Sequence, residues 1–288
     1  MPVQNVGPVQ NVGIVGAGTM GSGIAQVLSS AGLDVIVADV NEAAAARAAA
    51  RVAENLDRLV KKQKIPADAM DAALKHITPA TGYDALRGAD LVLEAVPEDA
   101  EVKAKVLREI DAVARPDAII ATNTSSISIT RLASVITHPD RFIGLHFFNP
   151  VPVMTLVEVV RGLQTSDATL DAAEALVAKL NKVPISVKNS PGFVVNRILL
   201  PMLNEAFFVL AEGDAEAADI DSGMKLGCNH PMGPLALADL IGLDVLLSVM
   251  QTLHRELGES KYRPAPMLGE LVAAGYLGRK AGRGVYRY

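Results

Sequence analysis

His146 and Glu158 are the side chains whose types and surroundings point most directly to chemistry. Each sits in an apolar setting. Phe142-Ile143-Gly144-Leu145 leads into the histidine, and residues 155–160 carry the glutamate in their middle. Runs of this kind read as short buried strands. A carboxylate in such a strand needs a partner, because an unpaired charge away from water is costly. Asn149-Pro150 marks a turn between the runs, and His146 is the partner in reach. A histidine oriented by a carboxylate is the arrangement of a general base. The competing reading is a satisfied core histidine with Glu158 at a rim, since buried acid–histidine pairs also serve structure.

The elements ahead of this stretch supply a frame. Residues 11–15 read as a buried strand, Gly16-Ala17-Gly18-Thr19-Met20-Gly21 follows at once, and residues 22–31 read as a helix closed by Gly32. This is the glycine pattern of a dinucleotide site in its required strand–turn–helix context. Gly16 permits a tight turn, Gly18 lets the backbone approach a pyrophosphate, and Gly21 lets helix and strand pack closely. The helix start then offers free N–H groups to phosphate. Residues 34–39 form a second strand ending in Asp39, an acid that accepts hydrogen bonds from ribose hydroxyls and repels a 2′-phosphate. The expected cofactor is therefore NAD rather than NADP.

Length and composition bound the rest. With 288 residues, half of them hydrophobic, the chain has room for two domains and their cores. A formal charge of −5 argues against nucleic acid as a partner. The single cysteine, Cys228, leaves no intrachain disulfide and no cysteine-based metal site. No apolar run approaches a membrane span, and the N-terminus does not read as a signal peptide, so a cytoplasmic protein is expected. Val3-Gln4-Asn5-Val6-Gly7 recurs as Val9-Gln10-Asn11-Val12-Gly13. The second copy leads into the first strand, and the first reads as a loose extension or a cover for a sheet edge.

Residues 41–64 read as one long helix ended by Pro66, with Arg47, Arg51, Asn55, Arg58 and Lys62 on one face. Glu42, Glu54 and Asp57 fall off that stripe, so it is expected to be largely unneutralised and to suit an anionic ligand. Strands are expected at 89–96 and 117–122, with a helix at 101–114 between them. Glu98, Asn123 and Ser125 then fall at the carboxyl ends of strands, where open α/β sheets bind ligands. A helix at 167–181 and a strand at 184–187 complete a doubly wound α/β domain over residues 1–190. From 191 to 288 the pattern is helical (193–212, 215–226, 234–257 and 266–274) with no sheet signal. A helical domain that small and apolar is expected to self-associate, as a homodimer.

Taken together these motifs resemble the L-3-hydroxyacyl-CoA dehydrogenase family, and within it the bacterial 3-hydroxybutyryl-CoA dehydrogenases. The match rests on Gly16–Gly21, Asn123-Thr124-Ser125-Ser126, Gly144-Leu145-His146-Phe147-Phe148-Asn149-Pro150, Pro191-Gly192-Phe193-Val194-Val195-Asn196-Arg197 and Pro231-Met232-Gly233-Pro234. It covers the chain except its N-terminal extension. The resemblance implies a Rossmann-type domain followed by a smaller all-helical one for substrate binding and dimerisation. It implies His146 as base, Glu158 as its orienting partner, and Ser125 and Asn196 as substrate contacts. Asp39, Glu98, Lys103, Asn123, Asn149 and Lys280 would line NAD. Asn55 and Lys62 would meet coenzyme A, although Asn55 stands where the animal enzymes carry serine. No metal is implied.

The implied reaction is the NAD-dependent interconversion of a (S)-3-hydroxyacyl-CoA, short-chained, with its 3-ketoacyl-CoA, in fatty-acid or butanoate metabolism. A related dehydrogenase of a free hydroxy acid or sugar acid, such as L-gulonate, would share the fold and the His–Glu pair but have no need of the basic stripe. A catalytically silent dinucleotide-binding protein would have no need of His146, Glu158, Ser125 and Asn196, all of which are present.

Overall fold

A computed structural model describes residues 7–288. The first copy of the N-terminal duplication therefore lies, but for Gly7, outside the described residues. The chain divides into two compact units, the second being Pro191–Tyr288.

The first unit is built on an eight-stranded sheet in the order β3-β2-β1-β4-β5-β6-β7-β8. Its strands are β1 (Asn11–Val15), β2 (Asp34–Asp39), β3 (Ile77–Thr81), β4 (Leu91–Glu94), β5 (Ile119–Thr122), β6 (Phe142–Phe147), β7 (Leu156–Arg161) and β8 (Val183–Lys188). Pairing is parallel from β3 through to β6. β7 then runs antiparallel to β6, and β8 runs parallel to β7. The strand order reverses between β1 and β4, and the region beyond the carboxyl ends at such a reversal is where sheets of this kind take their ligands. β4 and β5 are buried along their whole length, which is why they read as unbroken apolar runs.

The helices of this unit are α1 (Thr19–Ser30), α2 (Glu42–Lys61), α3 (Ala67–Lys75), α4 (Ala100–Val113), α5 (Ile129–Ala133) and α6 (Asp167–Lys179). Side-chain caps set several starts. Asn41 accepts from the Ala44 N–H, Asp99 from Glu101 and Val102, Ser128 from Arg131, and Ser166 from Thr169. One expectation needs correction here. α1 begins inside the glycine turn, because Gly18 is its N-cap. The stretch after Pro66, where the sequence pattern marks no element, holds α3, the edge strand β3 and a 3₁₀ turn at Asp84–Gly88.

The second unit contains α7 (Val195–Glu212), α8 (Ala217–Gly227), α9 (Pro234–Ile241), α10 (Leu243–Leu257) and α11 (Pro266–Ala273). The helix expected over 234–257 is two helices, bent by 97°. Gly242 sits at the break with φ +105°, a backbone state that only glycine enters cheaply. A core of Leu203, Phe207, Leu235, Leu246, Met250 and Leu268 fills this unit. Among the described residues no single helix is long and apolar enough to cross a membrane.

Candidate active site

In the antiparallel ladder of β6 and β7, His146 stands directly opposite Glu158. Side chains at facing positions project to the same side of a sheet. The result is a hydrogen bond of 2.7 Å between His146 Nδ1 and Glu158 Oε2, with Glu158 wholly buried and His146 6% exposed. Toward an ionised carboxylate Nδ1 is the donor, which makes Nε2 the ring nitrogen that carries the lone pair. Phe148 packs against the imidazole at 4.4 Å between ring centres. The rim position that the alternative reading gave Glu158 is excluded by its burial.

The glycine turn fits a dinucleotide. Gly16 has φ +107°, and a Cβ there would lie 2.7 Å from the Ala95 carbonyl. A Cβ on Gly21 would overlap the Gly16 carbonyl oxygen at 1.8 Å, so only glycine lets the helix start this close to the turn. By contrast, nothing lies within 4 Å of a Cβ built on Gly18, which is the open side that a pyrophosphate would take. The first turn of α1 has no side-chain cap and no acid of its own, so its N–H groups and positive dipole end suit a phosphate. Asp39, at the end of β2, accepts from the Ala17 N–H at 3.0 Å and from the Asn41 N–H at 3.1 Å. Each oxygen keeps a lone pair for a ribose hydroxyl.

Beyond β4 and β5 lies a chain of charged and hydroxyl groups. One oxygen of Glu98 accepts from the Thr124 hydroxyl at 2.6 Å, the Ser125 N–H at 2.9 Å and hydroxyl at 3.2 Å, and the Ser126 N–H and hydroxyl, both at 3.1 Å. Glu98 thus organises the loop that carries Ser125. Burial pushes the Glu98 carboxyl up, but the Lys103 charge and the bonds from Thr124, Ser125 and Ser126 outweigh it and hold the group below its usual range. Lys103 itself is wholly buried, donating to Glu94 at 2.7 Å and to the Val96 carbonyl, with Glu98 at 3.6 Å. Thr122 closes the chain on the other oxygen of Glu94, at 2.6 Å. This burial alters the expectation for Lys103. It offers no surface to a cofactor here, and its charge acts on Glu98.

Asn123 spends its side-chain oxygen on the Phe147 N–H at 2.9 Å, tying β5 to the strand of His146. Asn149 is exposed just beyond β6. On α2, Asn55 donates to Gln26 at 3.3 Å and Arg51 to Thr19 at 3.4 Å. The expectation of an unneutralised stripe is corrected in part. Glu54 lies 3.8 Å from Arg58, and Asp57 lies 2.6 Å from Lys61, because residues four apart on a helix are neighbours. Lys62 has no carboxylate within 4 Å among the described residues.

In the second unit, Asn196 lies in the first turn of α7, and Lys280 sits in a 3₁₀ turn with its ammonium 2.6 Å from Asp244. Sequence reasoning missed Glu94 and Thr122. Glu94 carried a signal of the same kind as Glu158, an acid inside the apolar run Leu91-Val92-Leu93. Among the described residues there is no group of three or more His, Cys, Asp or Glu side chains arranged to hold a metal ion.

Residues 11–190 match the 3-hydroxyacyl-CoA dehydrogenase NAD binding domain, and residues 192–288 match the C-terminal domain of the same enzymes. The chain belongs to the 3-hydroxyacyl-CoA dehydrogenase family. A 3-hydroxybutyryl-CoA dehydrogenase of Bradyrhizobium diazoefficiens is 51% identical over 280 residues, 97% of this chain and 96% of that protein. One from Clostridioides difficile is 48% identical over 275 residues, 96% of this chain and 98% of the other. The crystal structure of (S)-3-hydroxybutyryl-CoA dehydrogenase from Ralstonia eutropha superposes with a TM-score of 0.95 at 59% identity, covering 97% of this chain and 99% of that one. As a member of this family the chain is an NAD-dependent dehydrogenase, which agrees with the glycine turn and with Asp39.

Proposed function

We propose that the chain interconverts (S)-3-hydroxybutyryl-CoA and acetoacetyl-CoA in the cytoplasm, within fatty-acid or butanoate metabolism, with His146 as the acid–base group. The observation that carries this reading is the buried 2.7 Å pair of His146 and Glu158 in a chain of this family. Oxidation of the secondary alcohol releases a proton from oxygen and a hydride from carbon, and bound NAD supplies the hydride acceptor. His146 takes the proton at Nε2 and returns it in the reverse direction. Glu158 fixes the tautomer and stabilises the imidazolium, as the acid does in other His–carboxylate pairs. Ser125, held by Glu98, and Asn196 bind the substrate oxygen. Asp39, Glu98, Asn123, Asn149 and Lys280 serve the cofactor. Lys62 meets coenzyme A, with Asn55 beside it on the same helix, and the helical unit carries the surface of a homodimer.

The test is NADH oxidation measured side by side with acetoacetyl-CoA and a longer 3-ketoacyl-CoA, each repeated with NADPH. The shorter substrate should turn over faster. NADPH should be poorer by about 10²-fold or more in kcat/KM, through loss of the ribose contact and repulsion by Asp39. Equal rates with both nucleotides would overturn the role given to Asp39, and preference for the longer chain would overturn the substrate. Light scattering at micromolar concentration should report at least twice the 30.2 kDa chain mass, and a monomer would refute the dimer.

A further inference from the structure

Lys182 is a buried lysine that the reaction does not use. It is 8% exposed, and among the described residues no carboxylate lies within 4 Å of it. Its ammonium donates instead to two backbone carbonyls, Val151 at 2.7 Å and Met154 at 2.6 Å. Both belong to the loop between β6 and β7, which begins next to His146 and carries Asn149. Burial pushes the Lys182 amine below its usual range, as expected for an ammonium without a counter-charge. Asn181, at φ +55°, turns the chain at the end of α6 immediately before it. Asparagine is among the residues that tolerate this conformation best.

The same loop is pressed from its other side by the dinucleotide helix. Val151 is 2% exposed, and a Cβ placed on Gly23 of α1 would lie 3.0 Å from the Val151 Cβ. The loop closes on itself through the Pro150 carbonyl, which accepts from the N–H groups of Val153 and Met154. Its course is therefore set by α1 on one side and by Lys182 on the other. Asn149 stands two positions ahead of Val151. Its amide is exposed and without a hydrogen-bond partner among the described residues. His146 and Glu158 do not depend on this support, because the β6–β7 ladder holds them.

We propose that Lys182 is a positioning residue for the cofactor site: by carrying the carbonyls of Val151 and Met154 it holds Asn149 against the bound dinucleotide. The inference rests on the reading that Asn149 contacts NAD. Its signature is a split between parameters. Cofactor affinity depends on Lys182, whereas proton transfer by the ladder-held pair does not.

NADH binding to the full chain, followed by the fluorescence of the nucleotide, tests this together with steady-state kinetics. Lys182→Met keeps the length and volume of the stem and removes the donors. It should weaken NADH binding about tenfold, the size expected from loss of a charge-assisted hydrogen bond. KM for NADH should rise in step, with a smaller change in kcat at saturating NADH. Lys182→Gln retains an N–H₂ donor and should recover most of the affinity. It also carries the test if the Met variant does not fold, since its affinity should then lie between wild type and Asn149→Ala. Asn149→Ala should weaken NADH binding to a similar extent, and Lys182→Met/Asn149→Ala should be no worse than Asn149→Ala alone. If Asn149→Ala binds NADH normally, the reading of Asn149 fails and takes the proposal with it. If Asn149→Ala is impaired but Lys182→Met and Lys182→Gln bind as wild type, or the two losses multiply, Lys182 does not act through Asn149 and the proposal alone is overturned.

Discussion

Glu158 in the sheet and Asp239 in the helical unit are equally buried, at 0% and 1% exposure, yet their partners differ in kind. Glu158 meets an imidazole, a ring whose two nitrogens can donate or accept a proton. Asp239 meets the backbone N–H groups of Val285 and Tyr286, both at 2.9 Å, and the Tyr288 hydroxyl at 3.1 Å. Asp221 is similar, accepting from Leu235, Ala236 and the Tyr286 hydroxyl. These partners do not change charge in the working range: Asp239 holds the C-terminal tail, and Asp221 ties the start of α9 to Tyr286. Burial alone does not mark a catalytic acid. On the proposed mechanism, what distinguishes Glu158 is a partner whose charge the reaction changes.

The largest expected effect tests that distinction directly. His146→Gln should lower kcat by roughly 10²–10⁴-fold, the usual contribution of a positioned acid–base group, with NADH affinity preserved. Glu158→Gln should also lower kcat strongly, because the imidazolium loses its counter-charge. The double variant should be little worse than His146→Gln alone, as for groups that work as a unit. Fully multiplicative losses in this cycle would place Glu158 in the same class as Asp239.

Asp239→Asn is the reciprocal test. One acceptor oxygen becomes an N–H₂ group facing donors, so the helical unit should lose about 2 kcal/mol in denaturant unfolding. Turnover per folded molecule should change far less than in Glu158→Gln, and a loss of kcat comparable to that variant would erase the comparison. The phenol of Tyr286 sharpens it further. Burial, and then its hydrogen bond to Asp221, push it well above tyrosine's usual 10. A phenol raised in this way contributes stability below its unfolded value and loses it as pH climbs through the folded value. Phenolate absorbance should therefore show Tyr286 titrating later than an exposed tyrosine.

The smallest effect is expected at an exposed charge with no acid beside it. Lys62→Ala should raise KM for the CoA thioester about tenfold, as for one lost charge–phosphate contact, and leave KM for a pantetheine-truncated analogue nearly unchanged. An equal change on both substrates would show that the stripe on α2 is only a solvated face.

How far the sequence was legible follows from where information is local. β1, the glycine turn and β2 declare themselves within a few residues, because buried parallel strands are apolar throughout and the turn demands glycine at fixed spacing. β3 did not. Ile77-Thr78-Pro79-Ala80-Thr81 lies at the sheet edge with most of its side chains outside the core, so neither alternation nor an apolar run marks it. The bend at Gly242 was hidden by helical periodicity on both sides, although a glycine inside such a pattern was the available clue. The partial neutralisation of the α2 stripe was legible as well, since Glu54 and Arg58 are one helical turn apart, as are Asp57 and Lys61. Lys182 left no trace at all. Its meaning lies in two carbonyls far from it in sequence, and a backbone acceptor has no letter of its own.

The facing register of His146 and Glu158 also governs which inherited lesions the site survives. A hairpin keeps its pairing when residues are gained or lost in the connecting loop, so length changes between Phe148 and Thr155 would displace Asn149 and spare the His146–Glu158 pair. A lesion that slipped β7 by one residue against β6 would, by contrast, turn every side chain of β7 to the opposite face of the sheet. The carboxylate would then lie on the far side from the imidazole, with each residue of the pair still encoded.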